Sequence, residues 1–104
     1  MKRHKVRFLL EDNDPVDLIA VGRDGWALSQ LLNAGETGLT TLQNPAPRWS
    51  HYVYKLRRMG VNIATINEKH GGPYSGTHAR YILQSKIRVL DTERPTVKEA
   101  ANEQ

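Results

Sequence analysis

The sequence predicts an α+β domain in which two helices precede a β-hairpin, with an extra β-strand or hairpin at the N-terminus. Residues 47–60 carry apolar side chains at three- and four-residue spacing, which indicates an amphipathic helix. Residues 61–83 contain two strand-like runs around the glycine-rich segment 71–76, as a hairpin does. A chain of 104 residues without cysteine fits one domain whose core needs no disulfide.

The N-terminal element is predicted by two short apolar runs around a turn. Residues 5–10 alternate in polarity, which predicts a strand with three apolar side chains on one side: Val6, Phe8 and Leu10. Residues 11–15, Glu-Asp-Asn-Asp-Pro, are a strong turn signal that accounts for this acidic cluster. Residues 16–21 then provide a second strand, so residues 1–21 form the expected N-terminal hairpin.

The first helix is predicted at residues 25–34, where apolar residues recur at helical spacing. Asp24 is its expected N-cap and Gly35 its expected end. A short segment follows, in which we expect an extended residue pair and then a helical turn. Pro45 and Pro47 end that segment, and Pro47 suits the first turn of the next helix.

The second helix has two chemically different faces. One is an apolar stripe made of Trp49, Tyr52, Val53, Leu56 and Met59. The other is basic, rich in hydrogen-bond donors, and carries an aromatic ring that we expect to be exposed, Tyr54. Such a face is more often merely solvated than functional, so the elements that follow the helix decide how it is interpreted.

Two strands and a loop follow this helix. Residues 61–69 predict a strand with Ile63 and Ile66 as apolar anchors, and residues 79–83 predict the returning strand. Helix, short turn segment, helix, strand, glycine-rich loop and strand is the element order of a winged helix. In that fold the second full helix faces a nucleic-acid groove while the hairpin tip touches the backbone.

The C-terminal part predicts one more strand and a tail. Residues 86–90 predict a strand whose Ile87 and Val89 could pair with the N-terminal strand. We therefore expect residues 22–90 to form the winged-helix domain and residues 91–104 to form a polar, disordered tail.

The charge distribution favours a polyanionic partner. The formal net charge is +4, from fifteen Lys and Arg against eleven Asp and Glu. Between Arg48 and Arg88 the only acidic residue is Glu68, so the basic character belongs to the second helix and the hairpin. Together with the element order, this predicts a protein that binds double-stranded DNA, with a transcriptional regulator as one form of it.

Two motifs also resemble a known family. The helix end Leu56-Arg-Arg-Met-Gly60 and the strand start Gly76-Thr-His-Ala-Arg-Tyr81 are similar to those of small bacterial winged-helix proteins from alphaproteobacteria and their phages. The resemblance covers residues 22–83. It implies the winged-helix fold, and DNA binding less strongly, because winged helices also serve as protein–protein modules. Residues 40–43 depart from a typical middle helix, because Asn44-Pro-Ala-Pro47 cuts that segment short.

The predicted DNA-binding residues lie in two groups. The helix would use its polar face toward the major groove or nearby phosphates: Arg48, Ser50, His51, Tyr54, Lys55, Arg57 and Arg58. The hairpin would contact the backbone or minor groove through Lys69, His70, Tyr74, His78 and Arg80. The alternative is an interaction module, in which the N-terminal hairpin or the basic helix binds a protein and DNA is never contacted.

Other functions lack the residues they need. No cysteine, nucleophile motif or defensible carboxylate pair points to an enzyme, and no cofactor is expected. His70 and His78 could approach each other across the hairpin, but further metal ligands are not apparent, so no metal site is predicted. No apolar run reaches the roughly 18 residues of a membrane span. We expect a cytoplasmic protein without membrane contact, with a homodimer or a protein partner left open.

Overall fold

The computed structural model describes residues 4–41, 48–73 and 76–93. Along the chain it contains β1 (Lys5–Leu10), β2 (Val16–Val21), α1 (Arg23–Ala34), a single 3₁₀ turn (Gly35–Thr37), β3 (Leu39–Thr40), α2 (Trp49–Arg58), β4 (Ile63–His70), β5 (Gly76–Leu83) and β6 (Ile87–Glu93). The elements occur in the predicted order, and their bounds are close to the predicted ones except that β5 begins earlier and β6 ends later than predicted. The strands form two antiparallel sheets, and the order matches the α+β winged helix expected from the sequence.

The N-terminal sheet has β1 at its centre, paired with β2 on one side and β6 on the other. Leu10 pairs with Ile87 and Phe8 with Val89, so the predicted closure of the two ends of the chain is confirmed. A bulge follows Arg7, and β6 then continues to Glu93. The strand therefore extends beyond residue 90, where the sequence suggested a polar tail, because β1 offers it a pairing edge.

The second sheet has the strand order β3-β5-β4. The β4–β5 hairpin is the predicted wing, and its register pairs Ile63 with Leu83 at the base and His70 with Gly76 near the tip. The short strand β3 joins the other edge of β5, pairing Leu39 with Tyr81. The wing is thus anchored on the body of the domain through β5.

The core lies where both helices pack against both sheets. Its most deeply buried large side chains are Trp49, Phe8, Leu28, Leu31, Leu56, Val6, Val53 and Val61. Trp49 is central, because its ring lies 5.3 Å from Trp26 of α1 and 6.2 Å from Tyr81 of β5, centroid to centroid. One indole therefore fixes α2 against the other helix and the wing at once.

The helix ends depend on glycine. α1 begins at Arg23 with Gly22 as its N-cap at a φ of 67°, so Asp24 lies in the first turn, and the predicted Asp24 cap is wrong. α2 ends in a Schellman motif, in which Gly60 N–H donates to Arg57 O and Val61 N–H donates to Leu56 O. Gly60 adopts a φ of 106°, which explains why glycine is placed there.

One predicted anchor of the wing does not bury. Ile63 is buried at the base of β4, whereas Ile66 is 44% exposed. Side chains alternate along β4, so Ile66 lies on the face opposite Ile63 and Thr65 and points away from the core. Pro45 and Pro47 lie outside the described residues, as does the helical turn predicted before them. Within the part of the chain that the structure describes, no helix is long and apolar enough to cross a membrane.

Candidate nucleic-acid interface

The polar face of α2 is open to solvent. The stripe that the spacing predicted is confirmed, because Trp49, Tyr52, Val53 and Leu56 are buried and Met59 packs partly against them. All the predicted residues of the opposite face are exposed: Arg48, Ser50, His51, Tyr54, Lys55, Arg57 and Arg58. Arg48 makes no side-chain ion pair with any described residue, so its charge is available.

Two side-chain contacts constrain residues of this face and leave them exposed to solvent. Arg58 Nη1 donates to the Tyr54 hydroxyl at 3.2 Å, and its guanidinium carbon lies 5.9 Å from the centre of the Tyr54 ring. Tyr54 is 54% exposed, so the pair presents a ring and a cation together. Lys55 Nζ lies 3.2 Å from Asp24 Oδ2 in the first turn of α1. That pairing reduces the net charge that Lys55 offers to a ligand.

Arg57 connects α2 to the wing. Its Nη2 donates to the backbone carbonyl of Ile63 at 2.7 Å and to Thr65 Oγ1 at 2.8 Å. The side chain is exposed but directed toward β4, so it positions the hairpin as well as adding charge near the helix end.

The register of the hairpin decides which wing residues lie on the α2 side. Tyr81 packs on Trp49, and Thr65 opposite it accepts a hydrogen bond from Arg57, so this pair lies on the α2 side. Side chains alternate between the two faces of a strand. Two further cross-strand pairs therefore share the α2 side: Asn67 with Ala79, and Lys69 with Thr77. Lys69 is exposed there and has no ion-pair partner among the described residues.

The remaining wing residues lie on the other face. Register places Glu68 opposite His78, Ile66 opposite Arg80 and His70 opposite Gly76. Arg80 Nε donates to Glu68 Oε2 at 2.5 Å and its Nη1 to the carbonyl of Thr37 at 2.9 Å. The register therefore places Lys69 on the α2 side of the hairpin, and His70, His78 and Arg80 on the opposite face. Tyr74 lies outside the described residues.

Arg80 and His78 both contact Glu68, which is the only acidic residue in the sequence between Arg48 and Arg88. The hydrogen bond from Arg80, reinforced by His78, holds the pKa of Glu68 below its ordinary value. Glu68 is thus an ionised carboxylate on the face turned away from α2. The helix side of the wing carries no acidic residue among the described positions 63–73 and 76–83.

Arg23 extends the basic surface and was missed by sequence reasoning. Its guanidinium carbon lies 4.5 Å from the centre of the Trp26 ring, and its Nε donates to the Tyr52 hydroxyl at 3.2 Å. These contacts hold an exposed cation beside the first turn of α2. Helical spacing could not reveal it, because the three residues meet only when α1 packs on α2. Asn67 and Thr77 were missed for a similar reason, since their face depends on the hairpin register.

Comparison with known proteins gave one result. A family model described as a winged helix domain matches residues 17–93, which include every described strand and helix except β1 and the first residue of β2. Neither the curated proteins nor the solved structures gave a match.

Proposed function

Because the chain belongs to the winged helix domain family, we propose that it is a non-catalytic protein that binds double-stranded DNA and regulates transcription. Winged helix domains are typically non-catalytic DNA-binding modules. The motifs at residues 56–60 and 76–81 support a bacterial or phage origin by their resemblance to small proteins of that source. In a bacterium this activity would be exercised in the cytoplasm, where the DNA lies.

One observation carries the proposal. The exposed face of α2 contains basic residues and no acid, and the helix side of the wing continues it with Lys69. Glu68, the only acidic residue between Arg48 and Arg88, lies on the face of the wing turned away from α2 and is paired with Arg80. Apart from Asp24, which is paired with Lys55, the α2 face and the neighbouring side of the wing form a basic surface, and such a surface suits a phosphate backbone and its groove.

The residues divide by position on this surface. Ser50, His51, Tyr54 and Arg58 lie along the middle of the α2 face and would reach base edges in the major groove. Arg48 at the helix start and Lys69 on the wing flank them and would hold phosphates. Arg57, already bound to β4, would chiefly fix the angle between helix and wing.

Titration of labelled duplex DNA by fluorescence anisotropy tests the proposal. We expect micromolar-class affinity at low salt and, for about four neutralised phosphates, a log–log salt slope near −3.6. Arg58→Ala should weaken binding. Arg88→Ala is the matched control, because it removes the same charge from β6, where Arg88 pairs with Glu11. No binding at about 50 mM salt, or equal loss in both variants, would exclude a DNA site on α2.

A second candidate function is a protein-interaction module. It is favoured by exposed apolar side chains on the two outer strands of the N-terminal sheet: Val16, Ile19, Val89 and Leu90. Sedimentation at increasing concentration, with Ile19→Ser as the variant, would reveal self-association through this sheet. A folded protein that self-associates and does not bind duplex DNA would support this function over the first.

A further inference from the structure

Two histidines face each other on the side of the wing turned away from α2. His70 is the last residue of β4 and His78 lies on β5, diagonal to it in the register. Their Nδ1 atoms are 3.0 Å apart, and the ring centroids are 5.1 Å apart. From this geometry we propose that His70 and His78 form a binding site for a divalent transition-metal ion of the zinc class.

The distance between the nitrogens suits one shared cation. Zinc binds imidazole nitrogen at about 2.0–2.1 Å, which in tetrahedral geometry places two such nitrogens roughly 3.3 Å apart. The two Nδ1 atoms therefore need to separate by only a few tenths of an ångström. His70 is followed by Gly71 and Gly72, so the end of β4 can make this adjustment.

Glu68 prepares His78 as a ligand. One carboxylate oxygen of Glu68 accepts from Arg80, and the other lies 3.1 Å from His78 Nε2. A carboxylate only accepts hydrogen bonds, so His78 carries its hydrogen on Nε2 and its Nδ1 lone pair points toward His70. A carboxylate behind a histidine in this way is the usual support of a metal-binding imidazole.

Metal binding then requires one change in His70. Without metal, the two Nδ1 atoms can form a hydrogen bond only if one of them carries a hydrogen. Because His78 carries its hydrogen on Nε2, the hydrogen between the rings is on His70 Nδ1. When His70 carries its hydrogen on Nε2 instead, two lone pairs converge on the same point. No cluster of three or more ligating side chains occurs among residues 4–41, 48–73 and 76–93, so the two imidazoles would be the protein ligands and water would have to fill the remaining positions. Imidazole ligands without thiolate favour zinc, copper or nickel over magnesium and calcium.

Zinc chloride is the probe for the test, added to the full chain and followed by calorimetry and by NMR of the histidine rings. We expect one zinc per chain, shifts confined to His70 and His78, and a higher Tm because the metal joins β4 to β5. His70→Gln and His78→Gln should each abolish binding. Glu68→Gln should weaken it about 10–100-fold through the loss of ligand support.

His51→Gln is the matched control, because it removes an exposed imidazole from α2 and leaves the wing intact. Zinc binding should be unchanged in it. If His78→Gln does not fold, His70→Gln decides the question, since His70 lies near the hairpin tip and is only half-buried. The proposal is overturned if the wild-type chain takes up no zinc, or if His70→Gln binds zinc as the wild type does.

Discussion

The Nη2 atom of Arg57 lies 2.7 Å from the backbone carbonyl oxygen of Ile63, so the last turn of α2 is bound directly to the first residue of β4. A second hydrogen bond from the same nitrogen reaches Thr65. This guanidinium therefore joins α2 to the wing, in addition to the packing of Trp49 on Tyr81. In the sequence Arg57 is one more surface cation, whereas in the fold it connects two parts of the proposed interface.

Loss of this connection should destabilise the fold modestly. We expect Arg57→Ala to lower the free energy of unfolding by roughly 1 kcal/mol, because the hydrogen bonds to Ile63 and Thr65 are lost at a partly exposed site. Arg58→Ala should change it by no more than about 0.5 kcal/mol, since the hydrogen bond from Arg58 to the Tyr54 hydroxyl lies on the exposed face of α2. Urea denaturation of both variants measures the difference, and equal stabilities would contradict the positioning role of Arg57.

The two faces of α2 should respond differently to truncation. Trp49→Ala should cost roughly 3–5 kcal/mol, because the indole is 2% exposed and packs on Trp26 and Tyr81. Tyr54→Ala, on the opposite face, should leave the Tm nearly unchanged and weaken DNA binding. Thermal unfolding followed by circular dichroism checks both, and a reversed pattern would mean that the faces are wrongly assigned.

Local patterns predicted the parts of this fold that depend on local order. The stripe from Trp49 to Leu56 identified α2 and its buried face, because burial follows the helical period. The alternation in residues 5–10 identified β1 in the same way. The turn residues after Leu10 marked the end of β1, and Gly60 marked the end of α2.

The misassigned features depend on contacts between distant residues. Arg80 resembles a free cation in the sequence, yet register brings it to Glu68, twelve positions earlier. Ile66 has the apolarity of a core residue, but the register places it on the exposed face of the hairpin, opposite Arg80. Asp24 was expected to cap α1, and instead it lies in the first turn and pairs with Lys55. None of these positions can be inferred without the strand register and the packing of one helix on the other.

The acidic turn should make stability depend on pH. Asp12 accepts hydrogen bonds from the Ser85 hydroxyl at 2.6 Å and from Lys86 N–H at 2.8 Å, and these bonds hold its pKa below the ordinary value of 3.8. A carboxyl whose pKa is lowered by folding stabilises the fold fully above the unfolded pKa. That contribution is lost as the pH falls through the folded pKa.

Asp12→Asn isolates this contribution. Near pH 7 the wild-type Tm should exceed that of the variant, and the gap should close as the pH falls below about 3.8. Asp14→Asn is the control, because Asp14 is exposed in the same turn and makes no side-chain hydrogen bond with a described residue. A gap that is constant from neutral to acid pH would show that Asp12 acts through its shape and not its charge.

The two faces of the wing lead to a last prediction. Lys69 lies on the α2 side without an ion-pair partner among the described residues, whereas Arg80 lies on the other face and pairs with Glu68. Lys69→Ala should therefore weaken binding about equally across DNA sequences and reduce the magnitude of the salt slope by about one.

Arg80→Ala should leave the salt slope nearly unchanged, although it removes one positive charge just as Lys69→Ala does. Its effect should instead be a lower Tm, because Glu68 and the carbonyl of Thr37 lose their donor. Anisotropy titrations at several salt concentrations, with the Tm of each variant measured alongside, separate the two residues. A slope that falls as much for Arg80→Ala as for Lys69→Ala would show that DNA contacts the wing on the face away from α2.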